Sequence, residues 1–195
     1  MDHYNYQAQW KKKSQLAAIK LAEEARRALS AVPRGEERET YSTDSSVDPT
    51  SNKAAATFTY SNEGVSFRHP DGSSVLQTEL VAIMQVLTHA TEKRGGVIIH
   101  IDSLSSLQFT RQRTPKDIFL HIKIHATTSR IKKWNGQIQL NWIPSQAGIQ
   151  GNDETDGLAR TALLLPQVTI SIPRSRAAIK SSMKQEAKRL NKVQL

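Results

Sequence analysis

The chain has 195 residues and a mass of 21.8 kDa, which is the size of one ordinary domain with short extensions. Its composition, 37% hydrophobic and 23% charged, is typical of a globular protein, and the absence of cysteine excludes disulfides, cysteine–zinc sites and thiol nucleophiles. No apolar run approaches the roughly 18 to 20 residues of a membrane helix, and the N-terminus lacks a secretory signal. We therefore expect an intracellular protein of the nucleus or cytoplasm that is not secreted, does not contact a membrane and is a monomer.

The excess positive charge lies at the two ends of the chain. Lysine and arginine number 27 against 18 aspartates and glutamates, a net charge of +9. Residues 39–165 have a net charge of zero, whereas residues 1–38 have a net charge of +3 and residues 166–195 a net charge of +6. A basic tail on a neutral body favours a polyanionic partner, because each cation placed near a phosphate releases a counterion. A solvated helix that only keeps the protein soluble would explain the tail equally well.

The first predicted elements are a helix and a hairpin. Hydrophobic periodicity predicts a helix over residues 8–31, which Pro33 and Gly35 end. Residues 54–60 and 64–68 are predicted to be two strands joined by a tight turn.

Strands and helices alternate in the rest of the chain. Helices are predicted over residues 75–91, 103–109, 116–130, 153–165 (capped by Asn152 and stopped by Pro166) and 175–192, and strands over 97–101, 137–143 and a short piece at 168–172. A further strand could lie near residues 40–44. Strands interleaved with helices predict an α/β layered fold with a mixed sheet.

Three carboxylates stand where the pattern otherwise places apolar side chains. Glu79, which we place in the first turn of its helix, and Asp156 each share the apolar stripe of their helix. Asp102 directly follows the strand 97–101, at the mouth of the sheet, where open α/β folds place ligand groups. Each also has an ordinary structural interpretation: Asp102 could cap the next helix, and the other two could favour helix N-termini through the helix dipole.

Convergence of these three carboxylates would require a compensating positive charge. Burying them without one costs several kcal/mol each, and Arg160, four residues after Asp156, is the one basic residue close to any of them in sequence. Mg²⁺ prefers carboxylate oxygens and would meet the requirement.

Four motifs in register resemble those of type 1 ribonuclease H. They stand at residues 43–46 (TDSS), 78–80 (TEL), 100–103 (HIDS) and 141–156 (NWIPSQAGIQGNDETD). The likeness covers about residues 40–165 and is greatest to the domains at the end of the polyproteins of non-LTR (LINE-like) retrotransposons.

The resemblance implies a ribonuclease H-like three-layer α/β fold with a five-stranded mixed sheet over residues 37–165, with a helical extension at 1–36 and a basic extension at 166–195. It also implies endonucleolytic hydrolysis of the RNA strand of RNA–DNA hybrids by two Mg²⁺ (or Mn²⁺) ions. The residues that match the family's functional positions are the metal ligands Asp44, Glu79, Asp102 and Asp156, the catalytic position Gln146, and the substrate contacts Ser46, Ser103 and Asn152.

Three departures from the family pattern keep a second interpretation open. Gln146 replaces a histidine and cannot carry a proton at neutral pH, Ser45 replaces a glycine, and the predicted first strand is polar. A ribonuclease H-like domain that binds nucleic acid without cutting it would show the same motifs. An integrase or transposase of the same broad fold fits the last motif less well.

Overall fold

The structure, a computed structural model, describes residues 38–93, 96–112, 118–145, 147–174 and 176–193, together with Glu23 and Arg27. Five strands are present: β1 (Arg38–Val47), β2 (Ala54–Tyr60), β3 (Glu63–His69), β4 (Gly96–Ile101) and β5 (Ile138–Trp142). Helices α1 (Val75–Lys93), α2 (Leu104–Phe109), α3 (Ile118–Lys133), α4 (Gln150–Ala162) and α5 (Arg176–Val193) accompany them. The helix predicted over 8–31 lies outside the described residues, except that Glu23 and Arg27 are helical.

The strands form one mixed sheet in the order β3-β2-β1-β4-β5. The pairs β1–β2 and β2–β3 are antiparallel, whereas β1–β4 and β4–β5 are parallel. The predicted hairpin between β2 and β3 is confirmed, and its turn residues Ser61 and Asn62 both have positive φ, 46° and 64°, as tight two-residue hairpin turns require. This sheet confirms the predicted α/β fold.

Helices cover both faces of the sheet. Neighbouring strand residues point to opposite faces, and the side chains of β2 separate accordingly. Phe58 packs against His89 of α1, with ring centroids 5.6 Å apart. Thr59 meets α4 instead, where its hydroxyl lies 2.8 Å from that of Thr155. The molecule therefore has three layers, with α1 and α4 on opposite sides of the central strands.

Helix α1 begins at a reciprocal cap. The Gln77 backbone N–H donates to the Ser74 hydroxyl, and the Ser74 backbone N–H donates to the Gln77 side-chain oxygen, each at 3.3 Å. This pairing satisfies two of the donors that every helix N-terminus exposes. The apolar stripe of α1, which predicted the helix, is buried in the core from Leu80 to Ala90, whereas Val75 at its start is exposed.

The polar first strand lies at the centre of the sheet. The possible strand near residues 40–44 is β1, ten residues long, with a paired strand on each side. Tyr41 is fully buried and packs against the rings of Phe58 and Tyr60, at 5.9 and 5.5 Å. Thr43 is also buried, and its hydroxyl donates to the His100 carbonyl at 3.2 Å. One aromatic anchor and hydrogen-bonded hydroxyls thus replace the apolar side chains that a central strand usually carries.

The predicted start and end of one helix and one predicted short strand are wrong. Ile149 occupies the N-cap of α4 and makes no side-chain cap hydrogen bond, so Asn152 lies inside the helix rather than before it. The same helix ends at Ala162, ahead of Pro166. Residues 168–172 form no strand, although the backbone N–H groups of Thr169 and Ile170 both donate to the Arg68 carbonyl at the end of β3. None of the described helices is both long and apolar enough to cross a lipid bilayer.

Candidate active site

Two aspartates meet because β1 and β4 are parallel neighbours. In their register Thr43 is opposite Ile101, so the next residues, Asp44 and Asp102, stand side by side where the pairing of the two strands ends. Parallel strands point their carboxyl ends to the same edge of a sheet, and this is the edge at which ligands of open α/β folds bind. The two carboxylates therefore lie together although 58 positions separate them in the chain.

Helix α1 brings a third carboxylate to the same edge. Ligand oxygens of Asp44, Glu79 and Asp102 all lie within 4.8 Å of one another. The Ser45 hydroxyl donates to Glu79 Oε1 at 2.8 Å, which ties the glutamate to β1. We call Asp44, Glu79 and Asp102 the carboxylate cluster.

The ordinary interpretations of these acids do not hold. Ser103, not Asp102, is the N-cap of α2, and its hydroxyl accepts from the Ser106 backbone N–H. Glu79 stands in the second turn of α1 and not in the first, because the helix begins at Val75. Asp156 likewise follows the first turn of α4, where Asp153 is the acidic residue. None of the three acids is placed to serve as a helix cap or first-turn charge.

Burial and repulsion keep Asp44 poorly ionised. Its side chain is 8% exposed, and burial first, then the charge of Asp102, raises its pKa to about 7. The Ser45 backbone N–H, 2.6 Å from Asp44 Oδ1, opposes that rise. A cation bound among the three acids would favour the ionised form, and the cluster therefore has the chemistry of a divalent-metal site.

Asp156 approaches the cluster from the α4 side. Its side chain is 38% exposed and pairs with Arg160 at 2.7 Å. Asp156 does not belong to the group of acids whose ligand oxygens lie within 4.8 Å of one another. Its negative charge nevertheless contributes to the raised pKa of Asp44. The structure thus brings ligand oxygens of three of the four predicted ligands within 4.8 Å of one another, and the fourth acid is close enough for its charge to affect Asp44.

The nearby histidine supplies no compensating charge. His100, in the third motif, is buried in β4 two residues before Asp102, and burial lowers its pKa to about 4. It is therefore neutral at physiological pH, and the negative charge of the cluster is not balanced from this side.

The remaining predicted site residues lie in different settings. Ser46 is half-buried in β1 opposite Ala55, and Ser103 is engaged in capping α2. Asn152 is buried in α4, and its side-chain oxygen accepts no hydrogen bond from the described residues. Gln146 lies outside the described residues.

Sequence reasoning missed the contribution of Ser45. Ser45 was noted there only as a departure from the family's glycine, whereas β1 accommodates the residue and its hydroxyl holds Glu79. The signal available in the sequence was a hydroxyl directly after the first aspartate, one residue from a predicted ligand.

Comparison with protein families gives one match. A family model described as RNase H matches residues 36–164, which is more than half of the chain. No curated protein matches the chain. The matched range includes the carboxylate cluster and Asp156.

The raised pKa of Asp44 predicts how stability depends on pH when no metal is bound. Its pKa is about 7 in the folded protein and 3.8 in the reference state, so the folded state holds more protons in this window. In EDTA, the contribution of Asp44 to the free energy of unfolding should therefore be largest below pH 4 and be lost as the pH rises through 7. Asp44→Asn should remove this loss and stabilise the metal-free protein at pH 8 by roughly 1 to 3 kcal/mol.

Urea unfolding between pH 4 and 8 measures the effect. Asp153→Asn, an exposed acid in the first turn of α4, is the matched control and should leave the pH dependence as in wild type. Equal pH profiles for wild type and Asp44→Asn would contradict the raised pKa.

Proposed function

Because the chain belongs to the RNase H family, we propose that it cuts the RNA strand of RNA–DNA hybrids with two divalent cations, Mg²⁺ or Mn²⁺. The observation that carries the proposal is the carboxylate cluster, with ligand oxygens from β1, α1 and the end of β4 within 4.8 Å of one another. The cations would be held by Asp44, Glu79, Asp102 and Asp156.

The residues present fit a pair of hard cations. The cluster offers carboxylate oxygens alone, the ligand type that Mg²⁺ prefers. Burial, and after it the charge of Asp102, raises the pKa of Asp44, and a bound cation would offset both effects. When bound, the cations would supply activation of a water and stabilisation of the leaving oxygen of the phosphodiester.

Three of the four acids have a distinct structural support. Asp44 is held by the central strand and accepts the Ser45 backbone N–H. Glu79 is oriented by the Ser45 hydroxyl. Asp156 completes the set from the exposed side of α4, where Arg160 restrains its carboxylate. Because Asp156 is 38% exposed, the site has an open side toward solvent, as a polymeric substrate requires.

The catalytic domain in this proposal spans residues 37–165, with accessory extensions at 1–36 and 166–195. An origin in a non-LTR retrotransposon polyprotein is part of the same proposal and is supported by the motif at residues 141–156. We also propose that the protein acts inside the cell, in the nucleus or cytoplasm, where such hybrids arise.

Replacement of a cluster acid tests the metal mechanism. Asp102→Asn should lower the rate of cleavage of a labelled RNA–DNA hybrid by more than about 100-fold, since even partners of metal ligands are worth 10- to 100-fold. The measurement is single-turnover cleavage in Mg²⁺ and in Mn²⁺, with Asp153→Asn as a control that should cut like wild type.

The same assay separates the alternatives. Cleavage that persists in Asp102→Asn contradicts the metal mechanism. A wild-type protein that binds the hybrid but does not cut it selects the non-cutting binder, for which Gln146 is the main sequence support. A wild-type protein that neither binds nor cuts the hybrid contradicts both.

The Ser45 hydroxyl is expected to position Glu79. Ser45→Ala removes a hydrogen bond to a charged group, and this loss should lower the cleavage rate about tenfold and raise the Mg²⁺ concentration needed for half-maximal rate. Ser45→Thr keeps a hydroxyl and should restore both quantities. Ser66→Ala, which removes a half-buried hydroxyl from β3, is the control. A normal metal requirement in Ser45→Ala would exclude this positioning role.

A histidine at position 146 should increase turnover. General acid–base catalysis is worth about 10²- to 10⁴-fold, and glutamine cannot provide it. We expect Gln146→His to raise kcat by about tenfold or more, with a new pH dependence near 6.5, the ordinary pKa of histidine. Gln150→His, four residues further on at the exposed start of α4, should change neither quantity. A rate equal to wild type would show that residue 146 takes no part in catalysis.

A further inference from the structure

The segment between α4 and α5 is attached to the same end of the sheet as the carboxylate cluster. The Arg68 backbone N–H donates to the Thr169 hydroxyl at 2.8 Å, close to the end of β3. The Gln77 side-chain amide donates to the Pro173 carbonyl at 3.3 Å. Gln77 stands two residues before Glu79 in α1, so the chain enters α5 next to the N-terminal turns of the helix that carries Glu79.

Helix α5 carries a regular row of cations. In its middle, basic residues recur every four positions at Lys180, Lys184 and Lys188. This spacing puts successive charges about 6 Å apart along the helix axis. Ion pairing does not neutralise the middle of the row, because the described acid of this helix, Glu186, pairs with Arg189 instead.

The helix turns this row away from the domain. Ala178 and Ser182 line a cavity of about 430 Å³ together with Asn52 and Gly72, so this face of α5 is directed at the domain. At about 100° per residue, Lys180 lies on the opposite side from both. Lys180, Lys184 and Lys188 are exposed.

Further basic residues connect the row to the domain. Arg174 lines the cavity beneath α5 and also a second cavity of about 460 Å³, which Lys53 and Arg68 line as well. Arg68 is paired with Asp71, which leaves Lys53 and Arg174 to extend the positive surface toward the sheet.

We propose that α5, with Arg174 and Lys53, is an arm that binds the phosphate backbone of the nucleic acid next to the carboxylate cluster. The inference rests on the proposed function and assigns its substrate a second contact. A duplex at the cluster extends beyond it in both directions, and α5 begins beside that site with a net excess of cations. Each lysine that meets a phosphate adds binding free energy through counterion release.

Other binding partners for α5 fit the observations less well. Exposed Ile179, Met183 and Leu190 form an apolar row beside the cations, which is also the pattern of a helix that lies on anionic lipid. Binding to a lipid surface, however, would not explain why α5 begins near the candidate active site. A second copy of the chain would bring two equally basic helices together, and their like charges would repel.

The test compares hybrid binding by the full chain in an Asp102→Asn background, where cleavage does not interfere. Replacement of Lys180, Lys184 and Lys188 by glutamine should weaken binding of a labelled RNA–DNA hybrid tenfold or more at 0.1 M salt. The slope of log affinity against log salt should become shallower by about 2 to 3. Arg174→Gln, a second variant near the domain, should reduce the slope by about 1.

A matched control removes the same charge elsewhere. Lys93→Gln/Lys123→Gln/Arg130→Gln neutralises three exposed cations of α1 and α3 and should bind like the parent. Vesicles of phosphatidylserine provide the competing arm of the experiment, with circular dichroism to check that α5 remains helical.

The outcomes separate this inference from the proposed function. Wild-type cleavage together with unchanged hybrid affinity and salt slope in the triple lysine variant overturns the arm and leaves the nuclease. Loss of vesicle binding with hybrid binding retained assigns α5 to a membrane and also overturns it. Failure of the parent to bind hybrid at all overturns both.

Discussion

The parallel register of β1 on β4 decides where the negative charges of this protein meet. Because Thr43 is opposite Ile101, Asp44 and Asp102 must leave the sheet side by side, and α1 adds Glu79 to the same edge. Backbone hydrogen bonds hold these carboxylates together against their repulsion. Burial first, and then the charge of Asp102, raises the pKa of Asp44 to about 7. A divalent cation bound among the carboxylates would offset their repulsion and their burial. The sheet pairing is therefore the physical basis of the proposed chemistry.

A buried cluster of like charges needs a rigid support elsewhere. The other half of β1 provides this support. Its Tyr41 packs among the rings of Phe58, Tyr60 and His89, and these contacts fix the position of the strand. Hydroxyls complete the support, because Ser45 reaches Glu79 and Thr43 reaches β4. One end of this strand is thus packed for stability, and the other end carries a buried charge for function, as expected where activity requires unfavourable groups.

The distribution of charge along the chain acquires a spatial meaning in the fold. The neutral domain concentrates negative charge at one edge of its sheet, and the basic C-terminal segment begins at that same edge through the Gln77–Pro173 hydrogen bond. A polyanion approaching the carboxylates alone would be repelled. In our proposal, the cations of α5 offset this repulsion and allow the nucleic acid to approach.

The sequence alone determined the elements whose local pattern is strong. Periodicity and turn residues predicted α1 and the β2–β3 hairpin. Acids on apolar helix faces pointed to Glu79 and Asp156, the end of an apolar strand pointed to Asp102, and the motif resemblance added Asp44. Tertiary structure decided the rest. It made the polar β1 a central strand, placed Asp44 in the cluster, gave Ser103 the cap considered for Asp102, and used Ser45 to hold Glu79. Local patterns record which face of an element is buried, whereas register and hydrogen bonds between distant residues arise only when those elements pack.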